Sequence, residues 1–337
     1  MTKTPDLLLN KDIHTNFLIN GNMDFWQRSD SIVFNSTSGY GMDRWFVNSV
    51  NSLTIEPNSV GAPVGSTNYQ SMIFNNSQGL IAQVMEERNA VNLAGEDFIF
   101  TCLMRRTAAM ANGEVQINLS SNPTGDQSLL SAGWVTIDQL DIPINEVPLS
   151  TNSSSDWVRF SVRGKMPVDH KGLYVSINTS ALNPAGAQLD ISQAQIRLGQ
   201  EPLTFVTAGK SFAAEYELCK RYFQKSWRLR TNVGAATTTG RKIRTHFQNS
   251  SSTALETTWD LDTAMRVESP AIVTYNSNGG IGVLTYISRT TSNSNHSGIS
   301  ITRHTESSFN MELTGISGGG RGDAVSVLAH YTADAEI

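Results

Sequence analysis

The sequence has little cysteine, little charge and no long apolar runs. Cys102 and Cys219 are its two cysteines in 337 residues, and two isolated thiols form neither a disulfide framework nor a metal knuckle. Charged residues make up 16%, and the net charge is −5, which argues against a nucleic-acid footprint. No apolar run approaches the ~20 residues of a membrane helix, and the N-terminus lacks a signal peptide's apolar core. We expect a protein that is not inserted in a membrane and is assembled in a reducing cytoplasm.

Short strand-like runs separated by Gly, Asn, Pro and Ser fill most of the chain. Residues 97–104 are almost continuously apolar, as in a strand covered on both faces, whereas residues 114–119 alternate as in a strand with one wet face. Roughly eight to ten such runs between Phe17 and Phe205 fit a two-sheet jelly roll. The predicted fold class is therefore all-β.

One helix is predicted at Ser211–Gln224, where Phe212, Tyr216, Cys219 and Phe223 recur at helical spacing. Ser211 is placed to cap its N-terminus. The stripe of Phe212, Tyr216 and Phe223 packs either on its own domain or in a seam between subunits, because an aromatic stripe looks the same in both settings.

Strand-like runs resume after this helix and predict a smaller C-terminal β domain. The predicted domains are an arm at 1–15, a jelly roll at 16–208, a connecting helix at 209–226 and a β domain at 227–337. The arm is expected to be flexible, the alternative being a segment that orders on a partner.

Four stretches, in this order along the chain, carry a resemblance to a known family. They are Asn16-Phe-Leu-Ile-Asn-Gly-Asn-Met-Asp-Phe-Trp-Gln-Arg28 with Met42-Asp-Arg-Trp-Phe46, Leu189-Asp-Ile-Ser-Gln-Ala-Gln-Ile-Arg-Leu198 with Glu201-Pro-Leu-Thr-Phe205, Glu217-Leu-Cys-Lys-Arg-Tyr-Phe-Gln-Lys225, and His330-Tyr-Thr-Ala-Asp-Ala-Glu336. Together they resemble bacteriophage tail-fibre and appendage proteins that begin with a jelly roll similar to carbohydrate-binding modules.

The resemblance implies a virion structural protein, a tail fibre or appendage that aids attachment to bacterial surface glycans. It implies a homotrimer, with other virion proteins and a bacterial surface polysaccharide as partners. The main alternative is a capsid decoration, head fibre or baseplate adaptor that binds virion proteins alone. A glycan depolymerase is the third reading.

Catalytic motifs are nearly absent, so we expect no enzyme. Gly315-Ile-Ser-Gly-Gly319 fits G-x-S-x-G, but a nucleophile elbow needs a helix after it, and the Gly-Arg-Gly-Asp that follows cannot begin one. The six histidines show no metal-binding spacing. Nothing in the sequence points to a particular pair of carboxylates for sugar hydrolysis.

A sugar site needs aromatic faces for the apolar side of a pyranose ring, with amides and carboxylates around them. The candidates are Trp134, Trp157, Tyr69 and Tyr174, although each such ring is more often part of a core. The loop 118–134 is a second candidate, since loops on a rigid sandwich carry recognition. Trp26 and Trp45 are assigned to the core.

No cofactor is required, but the resemblance implies a structural calcium ion between the first and last strands of the jelly roll. Asn22, Asp24 and Asp190 occupy the resembling positions, and their oxygens suit calcium. The favoured alternative is that Asp24 bonds Arg28 or Arg44 and Asp190 lies in solvent, because calcium takes about six to eight oxygen ligands.

Overall fold

The computed structural model describes residues 15–111, 113–247, 254–288, 294–314 and 324–336. The chain divides into two compact units. Of the described residues, the first unit contains 15–24 and 31–215, and the second contains 25–30 and 216–336. The predicted domain bounds, as statements about independently folding pieces, stay a prediction. Apart from Thr15, the predicted arm lies outside the described residues.

The first unit is built from short strands. In chain order they are β1 (Ile32–Asn35), β2 (Ser38–Tyr40), β3 (Phe46–Ser49), β4 (Ser52–Asn58), β5 (Tyr69–Asn75), β6 (Gly79–Val84), β7 (Asp97–Arg106), β8 (Glu114–Asn122), β9 (Val135–Pro143), β10 (Val158–Lys165), β11 (Gly172–Thr179) and β12 (Gln188–Leu198). A four-residue helix, α1 (Glu87–Ala90), and 3-10 turns at Val91–Leu93 and Ile144–Glu146 lie between them.

These strands form two antiparallel six-stranded sheets. The first sheet has the order β1-β4-β5-β12-β7-β10 and the second has the order β2-β3-β6-β11-β8-β9. Their inner faces meet closely: a Cβ on Gly79 of the second sheet would lie 2.7 Å from the Leu53 side chain of the first, and a Cβ on Gly164 of the first would lie 3.1 Å from Leu119 of the second. The predicted jelly-roll sandwich is confirmed.

The burial of individual strands follows their sequence patterns. Residues 98–105 of β7 are all buried, because the inner face of this strand points into the sandwich and its outer face is covered as well. In β8, Val115, Ile117 and Leu119 are buried whereas Gln116 and Asn118 are half-exposed. This alternation leaves polar side chains on the outer face of the second sheet.

The opening stretch 16–24 is held to the first unit by its asparagines. The Asn16 side chain donates to the Ala194 and Val206 carbonyls and accepts from the Leu18 and Ile196 amides. The Asn20 carbonyl accepts from the Trp45 indole at 3.2 Å. Trp26 and Trp45 are both buried, as predicted. Asn16, Asn20 and Trp45, three of the residues in the first resembling stretch, therefore have structural roles.

The connecting helix, α2, runs from Phe212 to Lys220, four residues shorter at its C-terminus than predicted. The Ser211 hydroxyl accepts from the Ala214 amide at 3.2 Å and caps the helix as expected. Phe223 lies beyond the helix because β13 (Phe223–Lys225) pairs with residues Thr332 to Asp334. Pairing with the C-terminal strand ends the helical pattern.

The second unit is organised around a long C-terminal strand, β21 (Ala324–Asp334). The other strands after β13 are β14 (Lys242–Phe247), β15 (Ala254–Asp260), β16 (Ala271–Tyr275), β17 (Leu284–Ser288), β18 (Ser294–His296), β19 (Ile299–Thr302) and β20 (Ser308–Thr314). β13, β14, β16 and β17 all pair with β21, and β15, β20 and β19 form a separate three-stranded sheet. Trp259, Phe309 and Tyr331 lie in the core of this unit.

The sequence Asn276-Ser-Asn-Gly-Gly280 is typical of a turn between two strands of a hairpin. It does reverse the chain, with the Asn276 amide donating to the Gly280 carbonyl at 3.0 Å. However, β16 and β17 each pair with β21, and Tyr275 and Ile281 form an isolated bridge between the two segments. The turn therefore forms as the sequence indicates, but the two strands do not continue as a paired ladder because each of them pairs with β21. Among the described helices, neither is long and apolar enough to cross a membrane.

Candidate functional site

The outer face of the second sheet carries a row of amide side chains across three neighbouring strands. Inward-facing Ile177 and Ile117 leave Asn178 of β11 and Gln116 of β8 pointing outward. The register places Asn178 opposite Gln116, and Gln116 opposite Asp141 of β9. Three polar side chains from distant parts of the chain are thereby aligned.

These side chains are joined by hydrogen bonds into one network, which we call the amide ladder (Asn118, Asn178, Gln116, Asp141 and Gln139). Asn118 Nδ2 donates to Asn178 Oδ1 at 2.7 Å, and Asn178 Nδ2 donates to Gln116 Oε1 at 2.8 Å. Gln116 Nε2 and Gln139 Nε2 both donate to Asp141 Oδ1, at 2.9 and 2.6 Å. Mutual bonding fixes the orientation of each amide on an open face.

A hollow borders the Asn178 end of the amide ladder. Its volume is about 190 Å³, and it is lined by Asn48, Ser49, Val50, Gln78, Gly79, Leu80, Asn178 and Thr179. Amide, hydroxyl and aliphatic groups alternate around it. A ligand lying along the ladder could place a polar group in this hollow without leaving the sheet.

Two predicted sugar-binding aromatics lie on this same face. Trp134 and Tyr174 make an edge-to-face pair with centroids 4.8 Å apart, and both are half-exposed. The Trp134 indole donates to the Ser128 carbonyl at 3.1 Å, so the segment between β8 and β9 holds the ring. The predicted loop 118–134 began too early, because residues 118–122 belong to β8. Tyr174 and Asn178 point to one side of β11, and four residues of strand separate them by roughly 13 Å. The aromatic pair and the amide ladder thus share one surface.

The other two predicted aromatics, Tyr69 and Trp157, surround a protein cation. The Arg105 guanidinium lies 4.8 Å from the Tyr69 ring centroid and 4.6 Å from that of Trp157. These two rings also pack edge to face, 5.1 Å apart. Their faces are occupied by an arginine of the same chain, which leaves Trp134 and Tyr174 as the predicted pair on an open sheet face.

Arg105 is 0% exposed and bonds on every side, an arrangement we call the Arg105 cage. It donates to Asp190 Oδ2 at 2.9 Å, to the Tyr69 hydroxyl at 2.8 Å, and to the carbonyls of Val60, Gly61 and Ser153 at 2.9 to 3.0 Å. The cage ties two loops, residues 59–66 and 150–157, to the outer side of the first sheet. Sequence reasoning missed it, since a lone arginine in a buried strand gives no motif.

The predicted calcium ligands are engaged in two different networks. Asp24 accepts from Asn22 at 2.8 Å and from Asn68 at 3.4 Å, and burial raises the pKa of its carboxyl. Asp190 pairs with Arg105 and also accepts from Ser71 and Gln188. Burial likewise raises the pKa of the Asp190 carboxyl, and this effect exceeds the opposite effect of its hydrogen bonds, which lower the pKa. The expectation that Asp190 lies in solvent was wrong, because it is 2% exposed.

A calcium site stays a prediction. Among the described residues no group of three acidic, histidine or cysteine side chains has metal-binding geometry. Asp190 already has a cationic partner in Arg105, so it fits calcium poorly. The prediction now depends on Asp24 and Asn22.

The three predicted interface residues lie in different environments. Phe212 is 59% exposed at the start of α2, whereas the Tyr216 ring stacks on Phe25 at 5.4 Å. Phe223 is buried in β13 with the Arg28 guanidinium 4.0 Å above its ring. An intersubunit seam stays a prediction, and Phe212 is the exposed apolar side chain on which it depends.

One serine–histidine contact lies in the second unit. Ser226 Oγ is 2.9 Å from His330 Nδ1, and His330 Nε2 is 2.8 Å from the Thr237 carbonyl. Ser226 Oγ also accepts from the Tyr331 amide, and both side chains are buried. The Ser226 hydroxyl and both His330 ring nitrogens thus have partners within the second unit, which is the arrangement of a buried structural contact. The G-x-S-x-G stretch at 315–319 lies outside the described residues.

His330 gives a prediction about pH. Burial lowers the pKa of this imidazole below its usual value, so the unfolded chain takes up the proton more readily than the folded one. The free energy of unfolding should therefore fall as the pH drops below about 6.5, by at most about 1.4 kcal/mol per pH unit. Urea unfolding at about pH 7.5 and about pH 5.5, on the native protein and on His330→Gln, measures the effect. Equal losses in the two proteins would contradict it.

No protein-family model and no curated protein matches the sequence, but solved structures match in part. The enzymatically active domain of tailspike protein 4 from bacteriophage CBA120 is 11% identical, with a TM-score of 0.35 over 56% of this chain and 22% of that chain. The C-terminal family 22 carbohydrate-binding module of a Clostridium thermocellum protein is 13% identical, with a TM-score of 0.31 over 48% and 89% of the two chains. A xylan-binding domain from Paenibacillus barcinonensis is 10% identical, with a TM-score of 0.30 over 52% and 99%. The match spans about a fifth of the tailspike domain's length.

Proposed function

We propose that this chain is a non-catalytic virion protein of a bacteriophage, a tail fibre or appendage that holds bacterial surface glycans on the outer face of its second sheet. The observation that carries the proposal is the amide ladder on the same open face as Trp134 and Tyr174. The virion role rests on the four sequence stretches that resemble phage appendage proteins.

The chemistry of this face suits a sugar. Each side-chain amide offers both donors and an acceptor, as a sugar hydroxyl does. A half-exposed indole or phenol ring supplies an apolar surface for the C–H face of a pyranose. Because the amides already bond one another, little side-chain freedom is lost when a ligand binds, and this favours affinity.

A single shallow site of this kind binds weakly, and assembly compensates for it. We propose a homotrimer within the particle, so that several copies engage one polysaccharide. Linking weak sites raises the overall avidity by about 10²- to 10⁴-fold when the geometry permits simultaneous binding. No chemical step is required for attachment.

The experiment is binding of the purified full-length protein to host cells, with extracted surface polysaccharide as competitor and reducing-end release followed in the same tubes. We expect saturable binding that the polysaccharide abolishes, with no sugar released. Release of sugar would favour a depolymerase. No binding by the assembled oligomer would contradict the proposal and favour a capsid decoration or baseplate adaptor that contacts virion proteins alone.

A substitution in the amide ladder tests the site itself. Asn178→Ala removes the bond that the ladder makes on each side of this residue, and we expect affinity for the polysaccharide to fall about tenfold. Asn35→Ala is the matched control, because Asn35 is an exposed strand asparagine in the first sheet. Equal affinities for the two variants would argue against the ladder as the binding surface.

A further inference from the structure

The two sheets of the first unit differ sharply in basic residues. The six strands of the second sheet contain no lysine or arginine, and they carry Glu114, Asp138 and Asp141. The strands of the first sheet contain six basic residues, which are Arg105, Arg106, Arg159, Arg163, Lys165 and Arg197. Asp138 is opposite inward-facing Leu119 and points away from the amide ladder, whereas Glu114 and Asp141 lie on the ladder's side of the sheet. The strands therefore give this face two carboxylates and no basic residue.

The hydrogen bonds of the ladder run toward a negative charge. Asn118 donates to Asn178, Asn178 to Gln116, and Gln116 to Asp141, which also receives Gln139. The Asp141 carboxylate is exposed and accepts bonds without donating any. A ligand beside Asp141 therefore meets a negatively charged acceptor. A hydroxyl or an ammonium group on the ligand can donate a hydrogen bond to it.

The basic residue next to the aromatic end of this face has an acidic partner. A Cβ on Gly172, the residue after Lys171, would lie 3.2 Å from the Trp134 ring, and Lys171 itself lies 3.4 Å from Glu87. This pair leaves little net positive charge beside Trp134. A carboxylate, sulfate or phosphate on the glycan would be repelled by Asp141 and would find no dedicated cation on the strands beneath it.

We infer that the glycan held on this face is uncharged or carries amino groups, and that chains rich in uronic acid, sulfate or phosphate are excluded. This inference rests on the proposed function and adds the class of ligand to it. A separate groove of about 360 Å³ at the sandwich edge is lined by Arg163, Asp138 and Gln139, and its arginine is paired with Glu201 at 3.7 Å. It is the surface against which the ladder's face is compared. The two surfaces can be told apart by mutation.

The test is an array that prints each glycan backbone in a neutral form and in forms bearing a carboxylate, sulfate or phosphate. It is probed with the assembled full-length protein, Asp141→Asn, Asn178→Ala and Arg163→Ala. We expect neutral or amino-bearing forms to bind about tenfold more tightly than anionic forms of the same backbone. Asp141→Asn should reduce the difference in affinity between neutral and anionic forms, because it keeps the shape of the side chain and removes its negative charge.

The other outcomes of the array separate the ligand class, the binding site and the proposed function. Anionic forms that bind as tightly as neutral forms, and lose affinity in Asn178→Ala, would overturn the inference but leave the proposed site standing. Anionic forms that lose affinity in Arg163→Ala and not in Asn178→Ala would overturn both the inference and the site. Binding to no form would overturn the proposed function, and the inference with it.

Discussion

Replacing Arg105 by methionine is expected to lower the free energy of unfolding by about 3–5 kcal/mol, the usual cost of breaking a buried ion pair from one side. Methionine fills much of the volume but leaves Asp190, which is 2% exposed, without its cation. It also removes the guanidinium bonds to the carbonyls of Val60, Gly61 and Ser153, of which Val60 and Gly61 keep the Tyr69 hydroxyl and the Trp157 indole as donors. The buried Asp190 carboxylate is the acceptor that keeps its desolvation penalty when Arg105 is lost.

Arg163→Met is the matched control for this change. Arg163 lies on the neighbouring strand β10, but its side chain is 60% exposed and its ion pair with Glu201 is long, at 3.7 Å. Surface pairs of this kind contribute about 0–1 kcal/mol. Urea unfolding compares the two variants, and hydrogen exchange in loops 59–66 and 150–157 should rise in Arg105→Met alone. Equal stability of the two variants would contradict the structural role of the cage.

A second substitution separates the ion pair from packing. In Arg105→Met combined with Asp190→Asn, the uncompensated charge is gone, so part of the lost stability should return. This double variant also keeps the prediction testable when Arg105→Met alone is too unstable to purify. No recovery would mean that the carbonyl bonds and ring contacts of Arg105 account for the loss.

Gly21→Ala is expected to lower the free energy of unfolding by about 3 kcal/mol, at the upper end of the range for substitutions that overpack a folded interior. A Cβ at this position would lie 2.0 Å from the Ala194 carbonyl oxygen, and the Gly21 carbonyl accepts from the Ala194 amide at 2.8 Å. The clash is with backbone, which no rotamer change relieves. The opening stretch must therefore move away from β12, where Asn16 also bonds.

Gly39→Ala is the control, since its Cβ would meet the Phe34 ring at an ordinary 3.5 Å. We expect its urea midpoint to stay close to that of the native protein, whereas the midpoint of Gly21→Ala should fall. If both variants unfold like the native protein, the opening stretch is not a structural closure of the first unit.

The opening stretch explains why the sequence predicted the fold better than the site. Asn16, Asn20, Gly21 and Trp45 bond or pack within the first unit, so a recognisable pattern at these positions reports the architecture. Strand positions followed equally well from local alternation, as in β8. The end of α2 did not, because Phe223 fits a helical stripe by spacing and is drawn into β13 by a strand more than a hundred residues away.

The amide ladder could not be predicted because it depends on register between distant strands. Asn178 and Gln116 are 62 residues apart, and Gln116 and Asp141 are 25 apart. A shift of one residue would turn each of these side chains to the opposite face. The alternation in residues 114–119 did indicate a wet face, but not its partners. From the sequence, Tyr69 and Trp157 were candidates for sugar binding as good as Trp134 and Tyr174. In the structure the Arg105 guanidinium covers the faces of both rings.

The proposed glycan site on the second sheet is tested by side-chain footprinting with hydroxyl radicals, with and without the host polysaccharide. Trp134 and Tyr174 are half-exposed on the proposed surface, and both should be protected when the glycan binds. Trp157, half-exposed beside Arg105, and Phe212, exposed at the start of α2, serve as internal controls whose oxidation should not change. Protection of Trp157 or Phe212, with Trp134 and Tyr174 unaffected, would place the glycan elsewhere and contradict the proposed site on the second sheet.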